Sequence, residues 1–524
     1  MFVSYARVKD LSRASSLLHN ATHFLPLSTS RLLQREDQQQ ILEPLSGIVS
    51  LAIAVSLEAG QSLLEVLRLQ ELGRSITNSQ LLDYRSNISD LVEQHPRLAT
   101  DFDSLCQELD TTPSCIESSN MSIQQHLQIY QAEDCRKNKV VHDFNNILIQ
   151  IRQQPGFEDF LGMSDANILS AGREGPIVVL NVTEIRSDAI LITKAHVTSI
   201  SLPYLSHESM KKYFGTPDTR SDNEVKRELL GWLWKAAVQP VLQELGFYPK
   251  AIHPLPRIWW IGVGLMAKAP IHAATKFKKG RIHMQMTTFR YCLPSYISTI
   301  RALEYSRSRQ LSKQNPSMLI VTMPTTPGES SLNGATKEAD EIKYHLGDSC
   351  AVDTLERPTA ERVLQALPNY SIAHFACHGV SSSNPANSHL LLLKESTSDE
   401  STLDDRSCVE EVDKLRANDI AALKLTTARL AYLSACGTAD SASPELIDEV
   451  THIVSSFHIA GFINVIGSLW PAEDDACQKM AAEFYSMLSR TDDVAASYHH
   501  AVSELMKQKP SQPMYWAPFI HFGA

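Results

Sequence analysis

Short apolar runs alternate with helical segments through the last third of this chain, and this alternation constrains the fold more than any other feature. The runs SMLIVTMP, SIAHFAC, ARLAYLSAC and INVIGSLW have the composition of buried strands. The segments between them, such as ATKEADEIKYHL and CQKMAAEFYSML, place apolar residues at helical spacing. Buried strands separated by helices predict an open, mostly parallel sheet.

Upstream of this part, the pattern divides the chain into two further regions. From Gly175 to about residue 310, GPIVVLNVT, AILIT and RIWWIGVG predict strands around a helix, and Trp259 and Trp260 are expected in the core. Residues 1–150 are instead helical in pattern, as in QSLLEVLRLQELGRSI. The sequence therefore predicts an all-α region, either a repeat array or an irregular bundle, followed by an α/β region.

Charge and cysteine content narrow the classes of partner and compartment. The 48 basic and 59 acidic side chains give a net charge of −11, which disfavours nucleic acid and anionic membranes as main partners. The nine cysteines are scattered without a C-x-x-C pair and are expected to be reduced thiols. No apolar run resembles a signal peptide or a membrane span, so we expect a cytoplasmic protein. No phosphate-binding glycine motif is present, and no cofactor is expected.

Two of the predicted strands end in side chains that can carry out covalent chemistry. SIAHFAC is followed by His378 and Gly379, and LAYLSA is followed by Cys436 and another glycine. The carboxyl ends of neighbouring parallel strands open onto the same crevice, so an imidazole and a thiol can meet there. A histidine favours the thiolate of a nearby cysteine and later protonates the leaving amine. We therefore expect His378 to be the general base and Cys436 the nucleophile of a cysteine peptidase.

The glycines beside these residues predict room for an oxyanion hole. Glycine permits the close turns that let backbone amides face a developing negative charge. We expect the amides of Gly379 and Cys436 to take this role. A Cys-Gly pair at one strand end is by itself a weak signal, because an isolated cysteine usually packs as a small hydrophobe. The prediction depends on both strand ends together.

The segment HFACH also offers His374, Cys377 and His378 as ligands for zinc. On a strand, the two histidines would lie roughly 13 Å apart at about 3.3 Å per residue, and the cysteine would point to the opposite face. One ion cannot bridge that distance, so no metal is expected. If the segment were helical, the histidines would be neighbours and the conclusion would reverse. We expect His374 to be a hydrogen-bonded structural residue and Cys377 a buried, inert thiol.

Five motifs follow one another in the C-terminal half. They are HFACHG (374–379), SHL (388–390), LSAC (433–436), GSLW (467–470) and WAPF (516–519). In this order they resemble the successive signatures of CHAT domains, which are caspase-like domains commonly attached to tetratricopeptide repeats. A caspase-type histidine lies about 50 residues before its cysteine, a spacing similar to that seen here. A looser similarity links the N-terminal helices to those upstream of such domains in fungal proteins.

The resemblance implies an α/β caspase-like domain, with a mostly parallel sheet flanked by helices and a degenerate caspase-like half, preceded by an all-α repeat-like region. Residues 1–150 would be the helical, tetratricopeptide-repeat-like region, 170–310 the degenerate subdomain and 311–524 the active subdomain. The resemblance also implies peptide-bond hydrolysis, with His378 and Cys436 as the catalytic pair. This agrees with the reasoning from the strand ends.

Residues near the predicted pair suggest determinants of specificity, each with a plainer alternative. Asp440 could select a basic substrate side chain or cap a turn. Trp470 could wall the cleft or fill the core. Asp448 and Glu449 precede a helical run and are expected to cap that helix. His272, a lone histidine among apolar neighbours, is expected to be structural.

The sequence thus predicts a caspase-like cysteine endopeptidase that acts on a protein substrate. We expect regulation through the helical N-terminal region, where a protein partner would bind. The acidic, Ser-rich segment 395–413 has no periodicity and is expected to be a solvated loop that controls access. The alternative is a non-catalytic signalling scaffold that keeps the caspase-like fold. An α/β-hydrolase is excluded because no G-x-S-x-G motif is present.

Overall fold

The fold combines a helical N-terminal region with an α/β region built on a large sheet. This is the fold class that the sequence predicts. The computed structural model describes residues 10–31, 33–85, 88–110, 123–214, 223–249, 254–309, 316–382, 384–394, 411–435, 438, 449 and 452–524.

The N-terminal helices are held together by burial of their apolar faces. Ile48–Glu58 is apolar on nearly every side and packs between Leu11–Ser28 and the sheet. There the Asn181 side chain donates a hydrogen bond to the Ser50 carbonyl oxygen at 2.9 Å. The helices of this region are Leu11–Ser28, Arg35–Leu42, Ile48–Glu58, Leu63–Gly73, Ile76–Tyr84, Ser89–Gln94, Pro96–Asp110 and Ile123–Arg152.

The length and apolar composition of these helices bear on whether they could cross a membrane. No single helix within the described ranges is both long and apolar enough to cross a membrane. The consecutive segments Arg35–Leu45 and Ile48–Glu58, bent by 43°, meet the requirement together by length and composition. Most residues of Ile48–Glu58 are buried against other parts of the chain.

The α/β region is organised around one large sheet. Its strands, together with those of two smaller sheets, are β1 Ile177–Val182, β2 Ser187–Ile192, β3 Val197–Ser201, β4 Arg257–Gly262, β5 Thr275–Lys278, β6 Arg281–Thr287, β7 Leu293–Tyr296, β8 Ser317–Thr322, β9 Ala351–Glu356, β10 Ile372–Ala376, β11 Gly379–Val380, β12 His389–Leu393, β13 Val412–Arg416, β14 Leu430–Ser434, β15 Asn464–Ser468 and β16 Phe519–Gly523. In the part of the chain described, eleven of them form a sheet in the order β3-β2-β1-β4-β7-β16-β15-β14-β10-β8-β9, and β11-β12-β13 and β5-β6 form the smaller sheets.

Strand directions in the large sheet are mostly parallel, as predicted. The exceptions are β1-β2-β3, which run antiparallel, and β16, which is antiparallel to β15. The last strand of the chain, β16, therefore joins the strands before residue 310 to those after it. Strands from both predicted caspase-like subdomains thus belong to one sheet, and the boundary between those subdomains stays a prediction.

Both faces of the sheet are covered, because its central strands carry apolar side chains on both sides. Along β14, Leu430 and Tyr432 belong to one hydrophobic cluster, and Ala431 and Leu433 belong to another. Such burial on both sides is typical of a parallel sheet. The helices around the sheet are Asp165–Ala171, His207–Phe214, Asn223–Leu233, Gln239–Glu244, Ile300–Ser308, Gly334–Leu346, Ala360–Ala366, Ala417–Ala421, Ile453–Ala460, Asp474–Thr491, Val494–Gln508 and Pro513–Trp516.

Some strands escape the sequence pattern. The predicted strands do not include β3, β5, β6, β7, β9, β11, β12, β13 and β16. Of these, β3 and β9 are the edges of the large sheet, β7 and β16 lie inside it, and the others form the small sheets. β13 begins at Val412, so the end of the predicted acidic loop is strand. Before it, the Glu411 carboxylate pairs with the Lys394 ammonium at 2.7 Å. Residues 395–410 lie outside the described residues.

Several buried histidines serve the core as neutral hydrogen-bonding groups. His272 Nε2 lies 3.0 Å from the Ala517 carbonyl oxygen, and its Nδ1 lies 2.8 Å from the Tyr296 hydroxyl. Burial lowers the pKa of His272 to about 3, although the bond to Ala517 acts in the opposite direction. Burial also lowers the pKa of His458 to about 3 and that of His452 to about 4. His272 is therefore structural, as expected.

Replacing His272 with glutamine should weaken the acid sensitivity of the fold. The imidazole has its ordinary pKa of 6.5 in the unfolded chain and a pKa of about 3 in the folded protein. The stability that it contributes as a neutral group is complete above pH 6.5 and is lost as the pH falls towards 3. The advantage of the wild type over His272→Gln should therefore shrink below that pH by up to about 1.4 kcal/mol per pH unit.

Denaturant titrations at about pH 7.5 and about pH 5 measure this difference in the free energy of unfolding. The prediction would be contradicted if the wild type exceeded His272→Gln in the free energy of unfolding by the same amount at both pH values.

Candidate active site

His378 lies just beyond the carboxyl end of β10 and is half-buried. Its Nε2 is 2.8 Å from the backbone carbonyl oxygen of Ser330. A carbonyl oxygen can only accept a hydrogen bond, so Nε2 carries the proton, and Nδ1 is the basic nitrogen of the neutral ring. This one contact sets both the orientation and the tautomer of the imidazole.

The loop that presents the Ser330 carbonyl group is tied to the rest of the fold at both ends. At its start, the Met323 amide donates to the Ala376 carbonyl oxygen of β10 at 2.9 Å. At its end, the Gly334 amide donates to the Asp474 carboxylate at 3.0 Å. The sequence analysis missed Ser330 because the contributing group belongs to the backbone and no side-chain motif marks it.

The register of two strands brings the predicted catalytic positions level with each other. β10 and β14 are parallel neighbours, and Ala376 is aligned with Ser434. His378 follows this pair by two residues on one strand, and Cys436 follows it by two residues on the other. Adjacent strands lie about 4.8 Å apart. Cys436 and Gly437 lie outside the described residues, so the meeting of thiol and imidazole stays a prediction.

The peptide that joins His378 to Gly379 has a defined direction. The His378 carbonyl oxygen accepts a hydrogen bond from the Leu391 amide of β12 at 2.9 Å. In a trans peptide the N–H points opposite to the C=O, so the Gly379 amide is directed away from β12. That direction is compatible with the oxyanion role predicted for Gly379. The role itself stays a prediction, as does that of the Cys436 amide.

Trp470 follows β15 and is half-buried. Its ring packs against the hydrophobic core, and the Lys226 ammonium lies over its face at 4.6 Å from the ring centroid. Trp470 thus joins the end of β15 to the helix Asn223–Leu233. Asp440 lies outside the described residues. The pocket roles of Trp470 and Asp440 stay predictions.

His374 of β10 is buried in the core, as expected of a structural histidine. Its Nδ1 lies 3.1 Å from the Tyr485 hydroxyl, and its Nε2 lies 3.2 Å from the Glu338 carboxylate. The ring stacks on Tyr432 with the centroids 4.8 Å apart. The Ser434 hydroxyl donates to the other oxygen of Glu338 at 3.1 Å. Where the chain is described, no group of three or more His, Cys, Asp or Glu side chains could hold a metal ion.

Glu338 is a second residue that the sequence analysis missed, although a signal is present. It lies on the buried face of Gly334–Leu346, between Ala335 and Ile342 at helical spacing. A carboxylate within an apolar helical stripe is unusual and points to a buried polar partner. Cys377 is buried, as expected.

Glu449 does not cap the helix that follows it, contrary to the expectation. That helix, Ile453–Ala460, is capped by His452, whose Nδ1 accepts a hydrogen bond from the Ser455 amide at 3.0 Å. The expectation was wrong because local spacing does not reveal which helix end is nearest in space. Asp448, to which it also applied, lies outside the described residues.

Glu449 instead caps a helix of the N-terminal region. Its carboxylate accepts hydrogen bonds from the Ile76 amide and from the Thr77 hydroxyl, each at 2.6 Å. The helix Ile76–Tyr84 needs this cap, because Ser75 before it has a positive φ of 51° and provides no side-chain cap. A buried residue between β14 and the helix Ile453–Ala460 thus contacts the helical region.

Comparison with known proteins places these residues in a family. The model of the CHAT domain matches residues 227–524, more than half of the chain. The chain belongs to the CHAT domain family. His378 and its loop lie within the matched residues. No match was found among curated proteins.

Solved structures with a similar fold include separase. A crystal structure of the Saccharomyces cerevisiae separase–securin complex matches at a TM-score of 0.50 and 12% identity, over 99% of this chain and 38% of that chain. A second crystal structure of the complex matches at a TM-score of 0.50 and 11% identity, over 99% and 40%. Porphyromonas gingivalis RgpB matches at a TM-score of 0.37 and 12% identity, over 56% and 68%. The CHAT chain spans about two fifths of the separase chain and shares its fold.

Replacing Glu338 with alanine should strongly destabilise the fold. The change removes the acceptor of the buried Ser434 hydroxyl and the carboxylate beside His374 Nε2, which costs about 1 to 3 kcal/mol of unfolding free energy. Glu338→Gln keeps an acceptor for Ser434 and should cost less. Denaturant unfolding measures both.

Asp340→Ala is the matched control for this prediction, since it removes an exposed carboxylate from the same helix. It should change the unfolding free energy by less than about 0.5 kcal/mol. Equal costs for Glu338→Ala and Asp340→Ala would mean that the buried contacts contribute nothing.

Proposed function

We propose that this CHAT protein is a caspase-like cysteine endopeptidase that hydrolyses peptide bonds of a protein substrate. Cys436 is the nucleophile, His378 is the general base, and the amides of Gly379 and Cys436 bind the oxyanion. The strongest support is the contact between His378 and the Ser330 carbonyl oxygen, because it sets the tautomer that a general base requires. The register of β10 and β14, which aligns their last residues Ala376 and Ser434, adds further support.

In the proposed reaction, His378 Nδ1 takes the proton from the Cys436 thiol, and the sulfur forms a bond to the carbonyl carbon of the scissile peptide. The carbonyl π electrons move onto oxygen, where the two amides stabilise the charge. As the C–N bond breaks, the imidazolium returns its proton to the leaving amine, and a thioester remains. Water, deprotonated by the same nitrogen, then hydrolyses the thioester and regenerates the thiol.

The Ser330 carbonyl oxygen orients the His378 ring and also stabilises the charge that the ring acquires during the reaction. It accepts a hydrogen bond from His378 Nε2 throughout the cycle. The positive charge that forms on His378 therefore faces a fixed dipole. The loop is held by contacts at Met323 and Gly334, so the dipole does not have to reorganise during the reaction. We assign Ser330 the part of the group that orients the base.

We further propose that the helical N-terminal region, similar to a tetratricopeptide-repeat array, regulates the peptidase and receives a protein partner. Contacts at helix ends support this part of the proposal. The Glu71 carboxylate accepts hydrogen bonds from the Ile300 and Arg301 amides at 2.8 and 3.0 Å, at the start of Ile300–Ser308. A carboxylate at a helix N-terminus is favourable, because the dipole is positive there.

Arg85 makes the complementary contact at two helix C-termini. Its guanidinium donates to the Ile459 carbonyl oxygen at 2.7 Å and to the Ala421 carbonyl oxygen at 2.8 Å. These carbonyl groups lie at the ends of Ile453–Ala460 and Ala417–Ala421. The helix after the nucleophile strand is therefore bound to the helical region at its end by Arg85 and just before its start by Glu449. A partner that shifts the helical region would move this helix with it.

Three further observations bear on partners and compartment. The separase of the matched structures is in complex with securin, which supports a protein partner for this chain. The net charge of −11 supports the absence of nucleic acid or a membrane as the main partner. The described cysteines form no disulfide with one another, which supports residence in the cytoplasm.

Cys436→Ser and His378→Ala should each lower kcat/KM for peptide cleavage by on the order of 10³-fold or more. The double variant should be little worse, because nucleophile and base act as a unit. Hydrolysis of a fluorogenic peptide library measures the loss. An electrophilic peptide probe should label Cys436 in the wild type and not in His378→Ala.

Cys377→Ser is the matched control for the dyad, since this thiol is next to His378 in the chain and is buried. It should keep both cleavage and labelling. Full cleavage by Cys436→Ser would refute the peptidase. A complete lack of labelling in the wild type would favour the signalling scaffold.

Arg85→Ala should loosen the helix that follows the nucleophile strand. Two carbonyl groups lose a charged donor, and such a hydrogen bond is worth about 1.5 to 3 kcal/mol. Hydrogen–deuterium exchange should therefore rise in residues 417–421 and 453–460, and kcat should fall with KM little changed.

Arg186→Ala is the control for this prediction, because Arg186 also links the helical region to the sheet, through Glu58 at 2.8 Å and Asp188 at 2.7 Å. It lies near β2 and should leave the exchange of residues 453–460 unchanged. The same exchange pattern in both variants would contradict a specific role for Arg85.

A further inference from the structure

Ser468 contacts the chain on both sides of the predicted nucleophile. It is the last residue of β15, the neighbour of β14, and it is buried. Its hydroxyl donates to the Ala435 carbonyl oxygen at 2.9 Å. Its backbone amide donates to the Thr438 hydroxyl oxygen at 3.0 Å. These partners are the residue before Cys436 and the second residue after it.

Thr438 is held from a second side as well. It is fully buried, and its carbonyl oxygen accepts a hydrogen bond from the Val454 amide at 3.2 Å, in the first turn of Ile453–Ala460. A β-carbon at Gly467 would lie 2.8 Å from the Thr438 hydroxyl oxygen and 2.4 Å from Val454. The lack of a side chain at Gly467 therefore lets Thr438 lie against β15.

We infer that Thr438 and Ser468 are positioning residues that hold Cys436 in place for catalysis. The inference rests on the proposed function, and neither residue is assigned contact with substrate. Ala435 and Thr438, which are both held by Ser468, flank Cys436 and Gly437 in the sequence. A displacement of about 1 Å at a reacting group can cost on the order of 10²-fold in rate.

Variants at position 438 separate the hydroxyl oxygen from the shape of the side chain. Thr438→Val removes the oxygen and keeps the shape, whereas Thr438→Ser keeps the oxygen. Thr288→Val is the matched control, because Thr288 is also fully buried and its hydroxyl donates to the Ile271 and Ala274 carbonyl oxygens at 3.0 Å, far along the chain. The full chain is used for each variant.

Two readouts are measured: kcat and KM on a peptide selected from the library, and the rate of Cys436 alkylation by iodoacetamide against pH, followed by peptide mass spectrometry. Thr438→Val should lower kcat by about 10- to 100-fold with KM unchanged. The midpoint of its profile of alkylation rate against pH should move to higher pH, towards the value of about 8.5 for an ordinary thiol. Thr438→Ser and Thr288→Val should keep both properties of the wild type.

The inference is overturned if Thr438→Val matches the wild type in both readouts, or if Thr438→Ser loses as much as Thr438→Val. If Thr438→Val does not fold, Ser468→Ala is measured in the same way. It deletes the hydroxyl that contacts Ala435 and keeps the backbone amide that contacts Thr438. An unchanged kcat and alkylation rate would overturn the inference. The proposed function fails separately, if the wild type cleaves no peptide. The alkylation rates then still decide whether the Thr438 hydroxyl governs Cys436.

Discussion

The parallel pairing of β10 with β14 is the constraint on which the candidate site depends. It aligns His374 with Tyr432, and these two rings stack within the core. Glu338 lies against both strands, through His374 on one and Ser434 on the other. A slip of one residue would turn every side chain of a strand to the opposite face and would break these contacts. Buried polar groups thus secure the register that carries His378 and the strand end before Cys436.

The helical and α/β regions complete each other's helix ends. Glu71 caps a helix of the α/β region, and Glu449 caps a helix of the N-terminal region. Burial raises the pKa of Glu71, and the hydrogen bonds from the Ile300 and Arg301 amides act in the opposite direction. Each region therefore provides charges that the other region's backbone needs. The helical region belongs to the folded unit of this chain and is not simply appended to it.

Much of the fold could be predicted from the sequence, because strands buried on both faces leave long apolar runs. The strands around Trp259, His374 and Tyr432 are examples. β9 was not predictable in this way, since an edge strand buries little and carries polar residues.

The site could be predicted only in part, for a different reason. Side-chain motifs mark His378, and the structure gives it a defined orientation. The group that orients it is a backbone carbonyl from Ser330, which any residue type could provide. Glu449 caps a helix that lies more than 300 residues away in the chain. The spacing of nearby residues cannot predict a contact over that separation.

β9 has a consequence for the behaviour of the molecule in a crowded solution. An open sheet ends in a row of unpaired backbone groups, which could pair with a strand of another molecule. β9 presents Asp353, which accepts a hydrogen bond from the Tyr370 hydroxyl at 2.7 Å, and the exposed Glu356. A second copy that approached along this edge would meet like charges before it could form hydrogen bonds. The acidic residues of this edge therefore disfavour the pairing of β9 with β9 of a second copy.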